Sequence, residues 1–209
     1  MELKTYLKNP CGLLSIPWWK HIRMEVPAHI LIAHQRDYSP ELAAGCRDQV
    51  YFRLSRTLHT IPDYKASGFL MESLSPECAP LIASIINASY EDIRVTENQI
   101  RTMEDSPAFC PALWILAREE QSGNAAGCAM GEFDPASGEM SIEWVQVLPH
   151  FRRRGVGRAL VLELLRQAPI EAGFATVSGR TDSSSNPESL YRSCGFEGSD
   201  YWHILWKEN

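Results

Sequence analysis

The stretch that most constrains this chain is a strand that runs through a short, basic, glycine-containing turn into a helix. Residues 139–148 (EMSIEWVQVL) are rich in β-branched and aromatic side chains, and Pro149 ends the run. Alternation puts Ile142, Trp144 and Leu148 on one face and Glu143, Val145 and Val147 on the other, so both faces are largely apolar, as a central strand requires. Beyond the turn, Gly157, Val161, Leu164, Leu165 and Ala168 recur at helical spacing and predict an amphipathic helix over 155–168. The turn between them carries Arg152, Arg153, Arg154 and Arg158 with no acid among them.

That cluster stands out because the chain as a whole is acidic. Its 209 residues hold 20 Lys+Arg against 26 Asp+Glu, a formal charge of −6, which argues against a nucleic-acid binder that relies on a generally basic face. A local basic knot on such a chain points to one small anion. Gly155 and Gly157 free the backbone to turn its amides onto that anion, and the helix start adds partial positive charge. The plainer alternative is a helix start that uses glycine only to turn. Two other phosphate motifs fail on their letters. Arg158-Ala159 stands where a P-loop needs lysine and a hydroxyl, and Leu160 stands where a dinucleotide fingerprint needs its third glycine.

The remaining chain supplies elements around this unit. Residues 1 to about 66 are broken by Pro10, Pro17, Pro27, Pro40 and Pro62, with short strands expected at 29–34 and 50–54, Trp18 and Trp19 covering core, and 63–68 as a connector. Strands are expected at 69–73, 113–117, 126–133, 174–177 and 201–206. The turns at 122–124 and 134–138 imply an antiparallel meander. Helices are expected after Ser75, whose hydroxyl can cap the run through Leu81, Ile82, Ile85 and Ile86, from Thr96, and from Asn186-Pro187. No apolar run approaches the roughly 20 residues of a membrane span, and the start lacks a signal-peptide pattern, so a cytoplasmic protein without membrane contact is expected. The six cysteines form no CxxC and have no histidine at ligand spacing, so free thiols and no metal site are expected.

Arg152-x-x-Gly155-x-Gly157, after a strand ending in Val147-Leu-Pro149, resembles the acetyl-CoA signature (Q/R-x-x-G-x-G/A) of the GNAT N-acetyltransferases. Downstream, Leu190-Tyr191-Arg-Ser-Cys-Gly195-Phe196 resembles that family's LYxxxGF helix end. The resemblance covers about residues 69 to 207 and leaves the first 68 unexplained. It implies an α/β GNAT fold: a mixed, mostly antiparallel central sheet splayed at the acetyl-CoA site, with helices on both faces. The expected division is an N-terminal extension, 1–66, and a GNAT domain, 67–209. The extension packs on the core or on a partner chain, and a homodimer belongs to the second arrangement.

The same resemblance implies roles. The pantetheine arm of acetyl-CoA pairs with the backbone of Val145, Gln146 and Val147, and its pyrophosphate lies on the amides of Arg153, Arg154, Gly155, Val156, Gly157 and Arg158. An N–H near Val147 polarises the thioester, and a small-molecule or peptide amine attacks directly. Tyr191 matches the tyrosine that protonates the departing thiolate; the alternative is a core-filling helix tyrosine. Glu143 is a carboxylate in an apolar strand, and burial raises a carboxyl's pKa toward the range of a general base. It serves as that base or as a structural partner of a neighbouring strand. One departure is Ser184, where the family often has asparagine; Asn186 reads as a helix cap. His203 reads as an ordinary strand histidine. Glu91 and Asp92 fall where the family's acceptor loop lies. The rival function is a catalytically inactive CoA-binding sensor or interaction module.

Overall fold

The structure, a computed structural model, describes residues 1–90 and 92–207. In chain order the helices are α1 (Leu3–Tyr6), α2 (Pro10–Leu13), α3 (Trp18–His21), α4 (Ala79–Ser89), α5 (Glu97–Arg101), α6 (Val156–Arg166) and α7 (Pro187–Ser193). The strands are β1 (Ile30–His34), β2 (Cys46–Thr57), β3 (Phe69–Ser73), β4 (Phe109–Glu119), β5 (Ala125–Asp134), β6 (Glu139–Val147), β7 (Phe174–Arg180) and β8 (Glu197–Lys207). The architecture is mixed α/β and mostly antiparallel, and the chain divides into two compact units, 58–173 and 1–57 with 174–209.

In the continuous unit, β3, β4, β5 and β6 pair antiparallel in sequence order, the meander that the two turns predict. Trp114 and Leu116 of β4 join Cys128 and Met130 of β5 in a buried cluster with Ile82, Ile85 and Ile86 of α4. Ile115, Ala117 and Ala129 alternate with them and are also buried, while α6 packs on the same strands. Strand alternation therefore places α4 and α6 on opposite faces. Of the predicted stripe on α6, Val161, Leu164 and Leu165 are buried, whereas Gly157 is half-buried and Ala168 lies beyond the helix end; Leu160 and Leu162 are buried as well, so the apolar face is broader than its sequence predicts. Ser75 makes no side-chain cap; a 3-10 turn at Pro76–Cys78 intervenes, and α4 begins at Ala79. Thr96 does cap α5, in a reciprocal capping box with Gln99.

In the second unit the strand order is β1-β8-β2-β7, every pair antiparallel. The N-terminal segment thus supplies two strands, one of them twelve residues long and hydrogen-bonded on both edges. Tyr51 lies opposite Arg180 on one side and opposite Trp202 on the other. The short helices before β1 cover this sheet through Tyr6, Leu14 and Trp18, and the Trp202 indole donates to the Cys11 carbonyl at 2.8 Å. Asn186 caps α7 as expected, its side chain accepting from the Ser189 amide. Among the described residues no helix is long and apolar enough to cross a membrane.

Candidate functional site at the end of β6

The Leu148 amide donates to the Ala126 carbonyl at 2.9 Å. In an antiparallel ladder alternate residues share a direction, so Gln146 is in phase with Leu148, and Val145 and Val147 turn their N–H and C=O groups away from β5. The sequence expects a pantetheine arm on the backbone of Val145, Gln146 and Val147; of these, Gln146 turns its main-chain groups to β5, which leaves Val145 and Val147 facing the other way. Gly127 opposite Val147 permits a close approach here, since a Cβ on it would overlap the Gln146 carbonyl oxygen.

Upstream, β6 is not the unbroken pleat that its sequence suggests. Trp144 pairs with Met130 and Ile142 with Gly131, so Glu143 is the extra residue of a bulge. The bulge breaks the expected faces. Trp144 and Leu148 pack on the α4 cluster, whereas Ile142, before the bulge, is buried outside it. Glu143 is half-buried, and its Oε1 accepts from the Ser141 hydroxyl at 2.8 Å.

After Leu148 the chain makes one 3-10 turn, Pro149–Phe151, and two residues in the left-handed region, Arg153 at φ 63° and Gly155 at φ 82°, before α6 begins. Gly155, left-handed, stands directly before Val156 in the right-handed helix, a pairing that gathers successive amides into a concave anion-binding nest. The first amides of α6, on Val156, Gly157 and Arg158, have no helical carbonyl four residues back and extend that surface.

The four arginines do different things. Arg152 donates from Nε to the Val147 carbonyl at 3.1 Å and from Nη2 to the Ser89 carbonyl at 2.9 Å, pinning the end of β6 to the end of α4. Arg154 pairs with Glu119 at 2.8 Å and lies 4.6 Å from the Phe69 ring centroid and 5.3 Å from that of Phe151. The Ser122 hydroxyl and Arg154 together hold the Glu119 carboxyl below its ordinary pKa. Arg153 is exposed and makes no ion pair or hydrogen bond among the described residues. Arg158 makes none either; its guanidinium is stacked 4.6 Å from the centre of the Tyr64 ring.

Tyr191 lies in α7, 7% exposed, with ring centroids 6.1 Å from Phe52 and 5.9 Å from Phe196. Ser184 and Asn186 are exposed. His203 pairs with Asp48 at 2.8 Å and stacks 3.7 Å from the Tyr38 ring, so it is engaged within its own sheet. Asp92 is exposed, and Glu91 lies outside the described residues. The six cysteines are unpaired with one another, and no cluster of three or more His, Cys, Asp or Glu able to hold a metal occurs among the described residues.

Two neighbours of the junction were not singled out by the sequence. Tyr90, half-buried, receives a hydrogen bond on its hydroxyl from Gln146 Nε2 at 3.3 Å and meets Trp144 edge-on. Tyr64, in the segment expected to be a connector, lies against Gly155 and Arg158. No local pattern marks either residue; only the paired strands and the path of the connector bring them in.

This architecture is that of the GCN5-related N-acetyltransferases. One such enzyme from Sphaerobacter thermophilus superposes with a TM-score of 0.69 at 20% identity, over 86% of this chain and 61% of its own. The present chain therefore spans about three fifths of that protein. Another from Kribbella flavida gives 0.60 at 18% identity, over 86% and 68%. Ard1 from Thermoplasma volcanium gives 0.54 at 18% identity, over 66% and 96%. None of the curated proteins matches in sequence. The chain belongs to the Acetyltransferase (GNAT) family, whose model matches residues 79–196, more than half its length. Acetyl transfer from acetyl-CoA is typical of that family.

Proposed function

We propose that this protein moves an acetyl group from acetyl-CoA to a primary amine by direct attack. The observation that carries the proposal is the nest at 153–158: two left-handed residues and a helix start in direct sequence after a strand end, within the segment that matches the family. The pyrophosphate rests on the amides of Arg153, Arg154, Gly155, Val156, Gly157 and Arg158. The outward backbone groups of Val145 and Val147 take the pantetheine arm, and Gln146, turned to β5 and Tyr90, holds the strand between them.

The chemistry follows from this arrangement. A free amine attacks the thioester carbonyl, forming an N–C bond, while the C–S bond breaks. Negative charge grows on the carbonyl oxygen, and a backbone N–H near Val147 stabilises it. Glu143, placed on a bulge and already accepting a hydrogen bond, takes the amine proton. Tyr191 gives its phenolic proton to the departing thiolate, the role that the family resemblance assigns it.

The rival is a module that binds acyl-CoA without catalysis, and the burial of Tyr191 at 7% exposure favours it. One experiment separates the two. Protein, acetyl-CoA and a panel of peptide, polyamine, aminoglycoside and small metabolic amines are mixed, and free thiol is followed with time. Amine-dependent thiol release supports the transferase. Thermal stabilisation by acetyl-CoA with no amine raising release above hydrolysis supports the binding module. If acetyl-CoA neither stabilises the protein nor is consumed, both readings fail.

A further inference from the structure

Tyr64 belongs to the segment between β2 and β3, outside both sequence motifs. It is half-buried, and it approaches the anion-binding turn in two ways. Its hydroxyl occupies the space over Gly155 that a Cβ there would need. Its ring carries the Arg158 guanidinium at 4.6 Å. The segment is fastened alongside α6 at another point, where Arg166 Nη1 donates to the Pro62 carbonyl at 3.2 Å.

The state of Arg158 gives this contact its meaning. Its Nε is buried without a hydrogen-bond partner, and among the described residues the side chain makes no hydrogen bond or ion pair. A buried donor left unmatched is costly, so this guanidinium gains from any acceptor that reaches it. Stacking occupies only the flat face of a guanidinium; its N–H donors lie in the ring-parallel plane, and the terminal Nη donors stay free to meet a doubly accepting oxyanion. Arg152 and Arg154, by contrast, have their donors committed to carbonyls and to Glu119. Arg153 is exposed, and among the described residues its side chain makes no hydrogen bond or ion pair. Of the four, only Arg158 is both uncommitted and fixed in plane.

We propose that Tyr64 is a positioning residue for the co-substrate: its ring fixes the Arg158 guanidinium so that the in-plane donors take a phosphate of coenzyme A. The inference rests on the reading of 153–158 as the coenzyme A phosphate site. Tyr64 acts through Arg158, and its share of affinity vanishes when Arg158 is absent. An arginine held in one plane gives up less side-chain freedom on binding than a free one, which is how a residue that need not touch the ligand raises affinity.

The test is calorimetric titration of the full chain with coenzyme A, which needs no knowledge of the acceptor. Tyr64→Leu, which keeps bulk but has no π face, raises Kd about tenfold, the scale of one charge-assisted hydrogen bond. Tyr64→Phe, which keeps the ring, stays within about threefold of the parent. Arg158→Ala weakens binding at least as much as Tyr64→Leu, and the double variant is no weaker than Arg158→Ala alone. Parental affinity in Tyr64→Leu, or effects of the two substitutions that multiply, would overturn the proposal. Should Tyr64→Leu fail to fold, Tyr64→Phe and Tyr64→Trp decide, because loss of affinity in both ring-bearing variants contradicts a stacking role. If the unsubstituted protein does not bind coenzyme A, the site assignment itself has failed, an outcome distinct from binding that is indifferent to Tyr64.

Discussion

Alanine at Gly155 tests how tightly the turn before α6 is built. The backbone there has φ 82°, in the left-handed region, and a side-chain-bearing residue in that region costs about 1–2 kcal/mol. A second penalty comes from space, because the new methyl would overlap the Tyr64 hydroxyl and displace it. Gly123 separates the two effects. It has φ 71° but nothing within 4 Å of the position a Cβ would take, so Gly123→Ala carries the backbone penalty alone. For a chain of this length each kcal/mol lowers Tm by about 2–4 °C, so Gly123→Ala falls by about 2–8 °C and Gly155→Ala falls further. The assay is thermal unfolding followed by circular dichroism, with Tyr64→Phe added as a third variant. Removing the hydroxyl relieves the overlap, so Gly155→Ala/Tyr64→Phe is more stable than the two single effects sum to. If Gly155→Ala loses no more than Gly123→Ala, and Tyr64→Phe restores nothing, the close approach of Tyr64 to the turn is refuted.

Three further outcomes follow from other residues. Tyr191→Phe lowers kcat by about 10²- to 10⁴-fold, the usual reach of a general acid, with the Kd for coenzyme A unchanged; a variant of parental kcat removes Tyr191 from the chemistry. Glu143→Gln lowers kcat/KM on a similar scale, and retention of near-parental kcat/KM across pH would leave Glu143 a structural partner of Ser141. The Cys128 thiol, fully buried, is pushed up to about 12 from 9.0 by desolvation, so the folded state holds its proton at a pH where the unfolded state releases it. Stability from this group is therefore intact below pH 9 and drains away between 9 and 12. In urea titrations over that interval, Cys128→Ala declines less steeply than the parent, and parallel slopes would show that the thiol is not so buried.

What the sequence revealed and what it hid divide along local and non-local lines. The β6–turn–α6 unit, the helix start at Thr96 and the cap at Asn186 depend on residues that follow one another along the chain, and each is visible in the letters. The bulge at Glu143 is not, because period-two reasoning assumes an unbroken pleat and the bulge exists only relative to Met130 and Gly131 on the partner strand. The length of β2 was hidden likewise. Its polar start, Cys46 to Gln49, has no alternation to betray a strand and is held by main-chain pairing with β8. Four neighbouring arginines look equivalent in a sequence; Val147, Ser89, Glu119 and Tyr64 make them different. Candidate chemistry was therefore legible at the level of the motif, and the arrangement around it was not.

The position of β2 between β8 and β7 bears on how the chain is made. The unit from 58 to 173 is continuous and can form as it leaves the ribosome. The other unit cannot, because Ile30 must wait for Trp206, and Tyr51 has neither Arg180 nor Trp202 until those residues are synthesised. Throughout that interval the inner strand of the finished sheet has two open edges, the condition in which a chain most readily pairs with the wrong neighbour. Translation that stalls before residue 200 leaves β1 and the start of β2 without their β8 partners, so the sheet of this unit waits on β8 in time as well as in space.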